Sequence, residues 1–456
     1  MNTAVPIPQM RLTRRHFRLW AIASAEQIIG AALSTLAGIA IPMIQITGGA
    51  WHLNSFMQGL TGAMGLLGIA IGSPLIGRLS DRQGYLRWFR ICPLLILAGS
   101  LLVWLCPQLW AMLTGLFIIG FGVGGGYTLD SDYISETMPA RWRQMMVGAA
   151  KATCSLGFAG AAGLAWWWIK SGLQPDHWNY LFTITGALGL ITLLLRIDWA
   201  GSPSWLMAHG RRSDAIVAAR RLLGPGAIPQ EVSHKQTDNA TSAGSTSLFR
   251  GKNLLRVIFS GATWACEGVG VYGVGVFMPL IILALGIDHS DAQGMGKVLN
   301  SVEMTTLVNS CILPGFIIGL LILRHINHGK MMTAGFLVSA AGMALLLWAY
   351  SCHLPVWVSV AAFIIFEMAL NAGPHLVTFI IPSQIYPLAD RGAGTGMAAS
   401  CGKIGAIAGV FLMPVLLDAG GITLVLWVCI GIMLLGGLIS LILTPVVLPD
   451  SPSASK

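Results

Sequence analysis

Three acidic residues stand inside stretches that are otherwise apolar, where an ionised carboxyl costs roughly 2.5–3.5 kcal/mol on membrane-insertion scales. Glu26 lies in WAIASAEQIIGAALS, Glu267 in GATWACEGVGVYGVG and Glu367 in AAFIIFEMALNAG. Such a carboxyl can carry a proton, hold a hydroxyl or ammonium group of a solute, or tie helices together by a hydrogen bond. Gln27, Lys151, Trp264, Tyr272, Asn309, Asn371 and His375 share the same apolar surroundings. Aromatic faces stack on sugar rings or cations, amides give orientation, and a lysine offers a counter-ion for a carboxylate. These ten residues form the expected solute and proton site, with plain interhelical hydrogen bonding as the alternative for each. His375 follows Gly373-Pro374, where a break in a helix frees backbone groups, although a lone histidine is more often a satisfied packing residue.

A second set of charges is expected at a gate. Asp130 and Asp132 in YTLDSDYISE fall near the end of an apolar segment, within reach of Arg141, Arg143 or the basic loop from Arg78 to Arg90, with solute contact as the alternative. Glu303 lies nearer the outer end of its segment, where a functional and a structural role are equally open, and Lys403 lies near the cytoplasmic end of its segment, where snorkelling is the simpler reading. The eight cysteines are dispersed singly, no CxxC or HxxxH pattern occurs, and no GxxxxGK[ST] loop is present. Neither metal nor cofactor is therefore expected, nor ATP-driven pumping by this chain alone. No cluster of His, Cys or carboxylates has catalytic spacing, which argues against an enzyme.

The elements that must position these residues follow from composition. Of 456 residues 55% are hydrophobic and only 10% charged, against roughly 25% charge in an ordinary soluble domain. So few charges cannot make a water-facing surface, and the apolar segments are long enough to cross a hydrocarbon core of about 30 Å. The 56 glycines fit helices that approach closely in lipid. Twelve spans are expected at about 19–45, 55–77, 88–107, 109–136, 145–169, 178–197, 257–286, 298–323, 331–351, 355–381, 395–418 and 422–446. Basic residues fall on alternate loops: the amino-terminal arginines, Arg78 to Arg90, Arg141 with Arg143, Arg211 to Arg256, Arg324 with Lys330, and Arg391. That alternation places both termini in the cytoplasm, fits an even span count, and explains the net charge of +9 without nucleic acid. Residues 198–255 form the single long polar interruption. They separate a six-helix bundle over 1–197 from another over 256–456, and SWLMAHGRRSDAIVAARRLL within them reads as amphipathic surface helix. Trp166, Trp167 and Trp168 read as an interfacial belt.

Local motifs sharpen this picture. GRLSDRQGYLRWFR between the second and third spans resembles the GxLxDRxGRR loop of the major facilitator superfamily. GSPSWLMAHGRRSDA after the sixth span, and GPHLVTFIIPSQIYPLADRGAGTG after the tenth, resemble signatures of its sugar-porter branch and related metabolite symporters. The resemblance implies an all-α integral membrane protein with the major facilitator fold. It also implies a cytoplasmic latch in which Asp81, Arg82, Arg87 and Arg391 act with Asp130, Asp132, Glu136, Arg141 and Arg143. In the family an acid like Glu136 contacts an arginine of the motif loop, and an acid like Glu26 often carries the coupling proton beside an arginine of the fourth span. Here Leu116 occupies that arginine's position, so Glu26 is expected to lack its usual cation. Tyr85 and Leu86 replace the basic pair of the motif loop, Gly201 and Ser204 replace a Glu and an Arg, and the QQxxG signature of sugar porters is absent from the seventh span.

The function expected is secondary active transport of a small polar organic solute, a sugar, polyol or organic acid, by alternating access and proton symport. Drug or metabolite efflux by proton antiport is the alternative, as is a solute sensor on the same fold. The expected partners are the solute, protons and the lipid bilayer; a monomer in a bacterial inner membrane is expected.

Overall fold

A computed structural model describes residues 5–47, 53–229, 251–286, 294–323, 325–386 and 391–448. Among them, ten helical segments are long and apolar enough to cross a bilayer. Two further spans emerge from breaks. The last helix, Arg391–Val447, leaves helical geometry at Gly420 and Gly421 and so holds spans 11 and 12. Span 5 is interrupted at Thr153 into Arg143–Ala152 and Cys154–Lys170. The twelve-span expectation is met.

Large apolar side chains are exposed on the outside of the helices, among them Leu105, Trp167, Leu321, Trp357 and Ile404. In water such a surface would aggregate; in a bilayer it is the ordinary lipid face. Interior contacts use small residues. Spans 2 (Ser55–Gln83) and 4 (Leu109–Thr137) meet so closely that a methyl group on Gly120 would overlap the carbonyl of Gly65. Spans 7 (Gly251–Ala284) and 11 repeat the device, where a methyl on Gly268 would lie 2.5 Å from the Gly402 oxygen. Lipid supplies no hydrophobic force between helices, so this close approach is what holds them. Hydroxyl groups bond across spans as well: Ser100 to Thr185 at 2.9 Å and Thr333 to Ser440 at 2.8 Å.

The chain packs as two compact units, one comprising Met1–Leu33, Met64–Gly157 and Asn179–Asp238, the other Ser34–Ala63, Phe158–Trp178 and Asn239–Lys456. The boundary runs through helices, because parts of spans 1, 2 and 5 pack with the carboxy-terminal spans. Within the second unit a methyl on Gly38 would overlap the Val276 carbonyl, Phe56 meets Phe411 edge-on at 5.2 Å, and the Ser55 hydroxyl donates to Asp418 at 2.8 Å. The Asn309 amide donates to the Phe158 carbonyl at 3.3 Å in the same unit.

In the first unit, the polar segment after span 6 folds as two short helices, Pro203–Ala208 and Arg212–Leu223, in line with the surface helices expected there. Ser202 caps the first, its hydroxyl accepting from the Trp205 amide. A parallel pair of two-residue strands, β1 (Val5–Pro6) and β2 (Ala227–Ile228), joins the amino terminus to this segment. Ile7, beside β1, is buried with Met138, Ala219 and Leu223. The polar stretch 230–250 and residues 387–390 of the motif after span 10 lie outside the described residues.

Adding a side chain at the span 2–span 4 contact forces the two backbones apart. Gly120→Leu is expected to destabilise by about 1–3 kcal/mol, read as a lowered thermal unfolding midpoint in detergent. Leu321→Ala, on the lipid face, is expected to stay within about 0.5 kcal/mol of wild type.

Candidate functional site

The first unit gathers its buried charges around one residue that the sequence reading did not single out. Arg196, the last residue of helix Thr183–Arg196, is wholly buried. Its Nη1 and Nη2 each donate to one oxygen of Glu26 at 2.5 Å, the two-point geometry of guanidinium with carboxylate. Nη2 also donates to Asp130 Oδ1 and to the Ile22 carbonyl, both at 3.0 Å, while Nη1 reaches the Phe89 carbonyl at 3.1 Å. The guanidinium carbon lies 3.5 Å from the centre of the Phe89 ring. Local sequence builds the notch. Span 1 is broken between Arg14–Ile22 and Ala25–Ile46, which frees the Ile22 carbonyl and puts Glu26 in the first turn of the second piece. Gly126, one turn before Asp130, leaves the space the Glu26 side chain fills, since a methyl there would overlap it.

Two expectations are thereby corrected. Glu26 does have a cation; it comes from span 6 instead of span 4. Asp130 pairs with Arg196 and not with Arg141, Arg143 or the motif loop. The signal that marks Arg196 is its place inside an apolar span, but at the last turn an arginine also reads as a snorkelling residue.

The gate residues are arranged differently from the family pattern. Glu136 Oε2 accepts from the Ser202 hydroxyl at 2.7 Å and the Ser204 amide at 3.1 Å, so no arginine of the motif loop holds it. Both donors are neutral: the hydroxyl of Ser202 and the backbone amide of Ser204, which stands where the family has an arginine. Asp81 accepts from the Tyr85 hydroxyl at 3.2 Å, and its carbonyl accepts from the Trp205 indole at 2.7 Å. Tyr85, a departure from the basic pair, is therefore what steadies the acid. Arg82 and Arg87 are exposed, Arg141 lies over the Trp142 ring at 5.7 Å, and Asp132 is half-buried with no ion pair among the described residues. Arg143 is half-buried, and its Nε has no hydrogen-bond partner among the described residues. The Arg391 side chain lies outside the described residues.

The remaining candidates split between the units. Lys151 Nζ stands 5.8 Å from the Tyr127 ring centre and Gln27 Oε1 is buried in the first unit. In the second, four candidates join end to end. Glu367, Asn371 and His375 follow one another at helical spacing of four, so they share a face of span 10 (Val356–Val377). Asn371 Nδ2 donates to Glu367 Oε2 at 3.0 Å, and its Oδ1 lies 2.8 Å from His375 Nδ1. Since the amide oxygen accepts, Nδ1 donates, and His375 Nε2 is left facing Glu267 Oε1 of span 7 at 3.7 Å. That facing pair is favourable when it shares one proton, as imidazolium with carboxylate or imidazole with carboxylic acid.

Backbone irregularities place this chain of groups. Gly373, at φ −108° and ψ −97°, breaks span 10 just before Pro374. A π-helical segment, Val269–Val274, begins two residues after Glu267 and carries Tyr272; such wide turns recur at functional sites. Trp264 packs edge-on against Phe379 at 4.7 Å, and Lys403 Nζ stands 5.1 Å from the Tyr272 ring centre, an inward contact in place of the expected snorkelling. Asn309 uses its amide on the Phe158 carbonyl. Trp166 donates to Glu303 at 3.3 Å, so the tryptophan run does more than line an interface.

A buried acid and amide network on two irregular helices of a membrane bundle is an arrangement for handling a polar solute, and comparison with known proteins agrees. The family model for sugar (and other) transporters matches residues 23–448. This chain belongs to that family. Its relatives include the inner membrane metabolite transport protein YgcS of Escherichia coli, 25% identical over 98% of this chain and 95% of that protein. The glucose transporter GlcP of Staphylococcus epidermidis is 22% identical over 80% of each. Among solved structures, the xylose transporter XylE of E. coli in a partially occluded inward-open conformation superposes with a TM-score of 0.76 at 18% identity, covering 97% of this chain and 99% of that one. The chain is a multi-pass membrane transporter of the major facilitator type and not an enzyme.

Removing the cation from the triad leaves two buried carboxylates without compensation. Arg196→Gln is expected to cost about 3–5 kcal/mol, seen as a fall in the unfolding midpoint, and Glu26→Gln on the same background should restore part of the loss. Equal instability of the single and double variants would contradict the pairing.

Proposed function

We propose that this transporter moves a small polar organic solute, a sugar, polyol or organic acid, by alternating access coupled to proton symport. The bundles 1–197 and 256–456 act as the moving parts, joined by 198–255. Both termini face the cytoplasm of a bacterial inner membrane. The observation that carries the reading is the hydrogen-bonded series Glu367, Asn371 and His375 on span 10, whose imidazole faces the Glu267 carboxyl of span 7 at 3.7 Å, all four side chains buried. Polar groups at that depth are costly and persist where they serve a solute or an ion. Two carboxyls, an amide and an imidazole offer both donors and acceptors, which suits hydroxyl-rich or carboxylated solutes. Trp264 and Tyr272 supply aromatic faces nearby. A proton-driven mode accords with one structural relative, described as a proton:xylose symporter, which matches at a TM-score of 0.72.

Counterflow in proteoliposomes, screened over sugars, polyols, organic acids and quaternary amines, identifies the solute class. An inward proton gradient is expected to drive accumulation; solute expelled against that gradient would instead establish antiport. Glu267→Gln keeps the shape but removes the ionisable carboxyl that faces His375, and is expected to weaken transport of the identified solute about tenfold, equivalent to ~1.4 kcal/mol. Wild-type transport by that variant would show that the series does not contact solute.

A further inference from the structure

The charges of the Arg196 triad do not balance. With both acids ionised, Glu26, Asp130 and Arg196 carry a net charge of −1, and their side chains are 0%, 3% and 0% exposed. Arg196 is the only cation bonded to either acid among the described residues. The other titratable group facing the cluster is the Cys92 thiol of span 3, which adds no positive charge. Tyr133, on the Asp130 helix, turns its hydroxyl to the Ala200 carbonyl, and Arg90 is engaged by the carbonyls of Arg196, Ile197 and Trp199. An uncompensated charge held this deep costs several kcal/mol, and one bound proton removes it.

Geometry says where that proton sits. Glu26 gives both oxygens to the guanidinium, the arrangement of an ionised carboxylate. Asp130 gives only Oδ1, while its Oδ2 is buried with no hydrogen-bond partner among the described residues. We propose that Asp130 is the coupling carboxyl of this transporter, binding the driving proton at Oδ2, with Glu26 remaining ionised as the fixed partner of Arg196.

The position suits coupling because the triad lies at the break in span 1, and that helix continues from the first compact unit into the second at Leu33–Ser34. Loss of the Asp130 proton makes the cluster negative and favours an arrangement that readmits water or opens the three-helix contact. Binding of the proton favours the closed cluster seen here. A packing with two states, biased by one proton, is what symport requires. The assignment rests on the symport reading, and its first test needs only protons as the probe.

In purified wild-type protein, infrared difference spectra between acidic and alkaline buffer are expected to show a protonated carboxylic acid. One component of that band should vanish in Asp130→Asn and persist in Glu267→Gln and Glu367→Gln. A spectrum unchanged in Asp130→Asn, or a loss confined to Glu26→Gln or Glu267→Gln, overturns the assignment. In proteoliposomes loaded with the radiolabelled solute selected by wild-type counterflow, one proton per solute sets a limit of about tenfold accumulation per unit of pH gradient. Asp130→Asn should lose that accumulation while counterflow stays measurable; accumulation like wild type refutes the proposal. Should Asp130→Asn not fold, Asp130→Glu keeps the carboxyl and is expected to shift the pH profile of accumulation, whereas an unmoved profile refutes it. If the wild type itself ignores the proton gradient, the symport reading fails, and the infrared arm still decides whether Asp130 binds a proton.

Discussion

Hydrocarbon offers no hydrogen bonds, and every polar atom drawn into it must find a partner inside the protein. Most of the arrangement follows from that constraint. Serines and threonines bond to backbone carbonyls one turn away, as Ser24 does to Trp20 and Thr305 to Ser301. The carbonyl freed at the break in span 1 is taken by Arg196. Asn371 bridges Glu367 and His375, so that a row of groups which would each be costly alone becomes a connected series. Where the satisfaction is incomplete, as at Asp130 Oδ2, the structure marks a place for chemistry.

Much of the fold was legible because lipid imposes a simple code. Segment length and the alternation of basic loops yielded twelve spans, and the polar stretch after span 6 yielded the surface helices. The breaks at Thr153 and at Gly420–Gly421 leave the span count intact, although they decide where individual helices begin. Glu367, Asn371 and His375 were also readable, since their spacing of four places them on one helix face. The partners of Glu26 and Glu136 were not. Glu26 and Arg196 stand 170 residues apart, and no periodicity reports a pairing between distant spans. Family resemblance left Glu26 without a cation and gave Glu136 to the motif loop; here Arg196 of span 6 serves the first acid, and the Ser202 hydroxyl and Ser204 amide serve the second.

The two polar assemblies are built on different principles. Around Arg196 a single cation is held by charge, by helix-end carbonyls and by the Phe89 ring, a compact and strongly ordered cluster. Along span 10 the bonds run through neutral amide and imidazole, groups that can exchange donors for acceptors without large rearrangement. A site that must release its cargo benefits from the second kind, and a site that must report whether it holds a proton benefits from the first. Both sit beside helix interruptions, at Ala23–Ser24 and at Gly373, where a bend demands little further unwinding.

The small parallel ribbon formed by Val5–Pro6 with Ala227–Ile228 bears on how the molecule is born. During synthesis the first strand emerges early and waits through six membrane insertions before its mate leaves the ribosome. Its pairing, with Ile7 buried beside it, closes a loop of more than two hundred residues that contains the first six spans, a contact of high sequence separation that can form only after all six have been made.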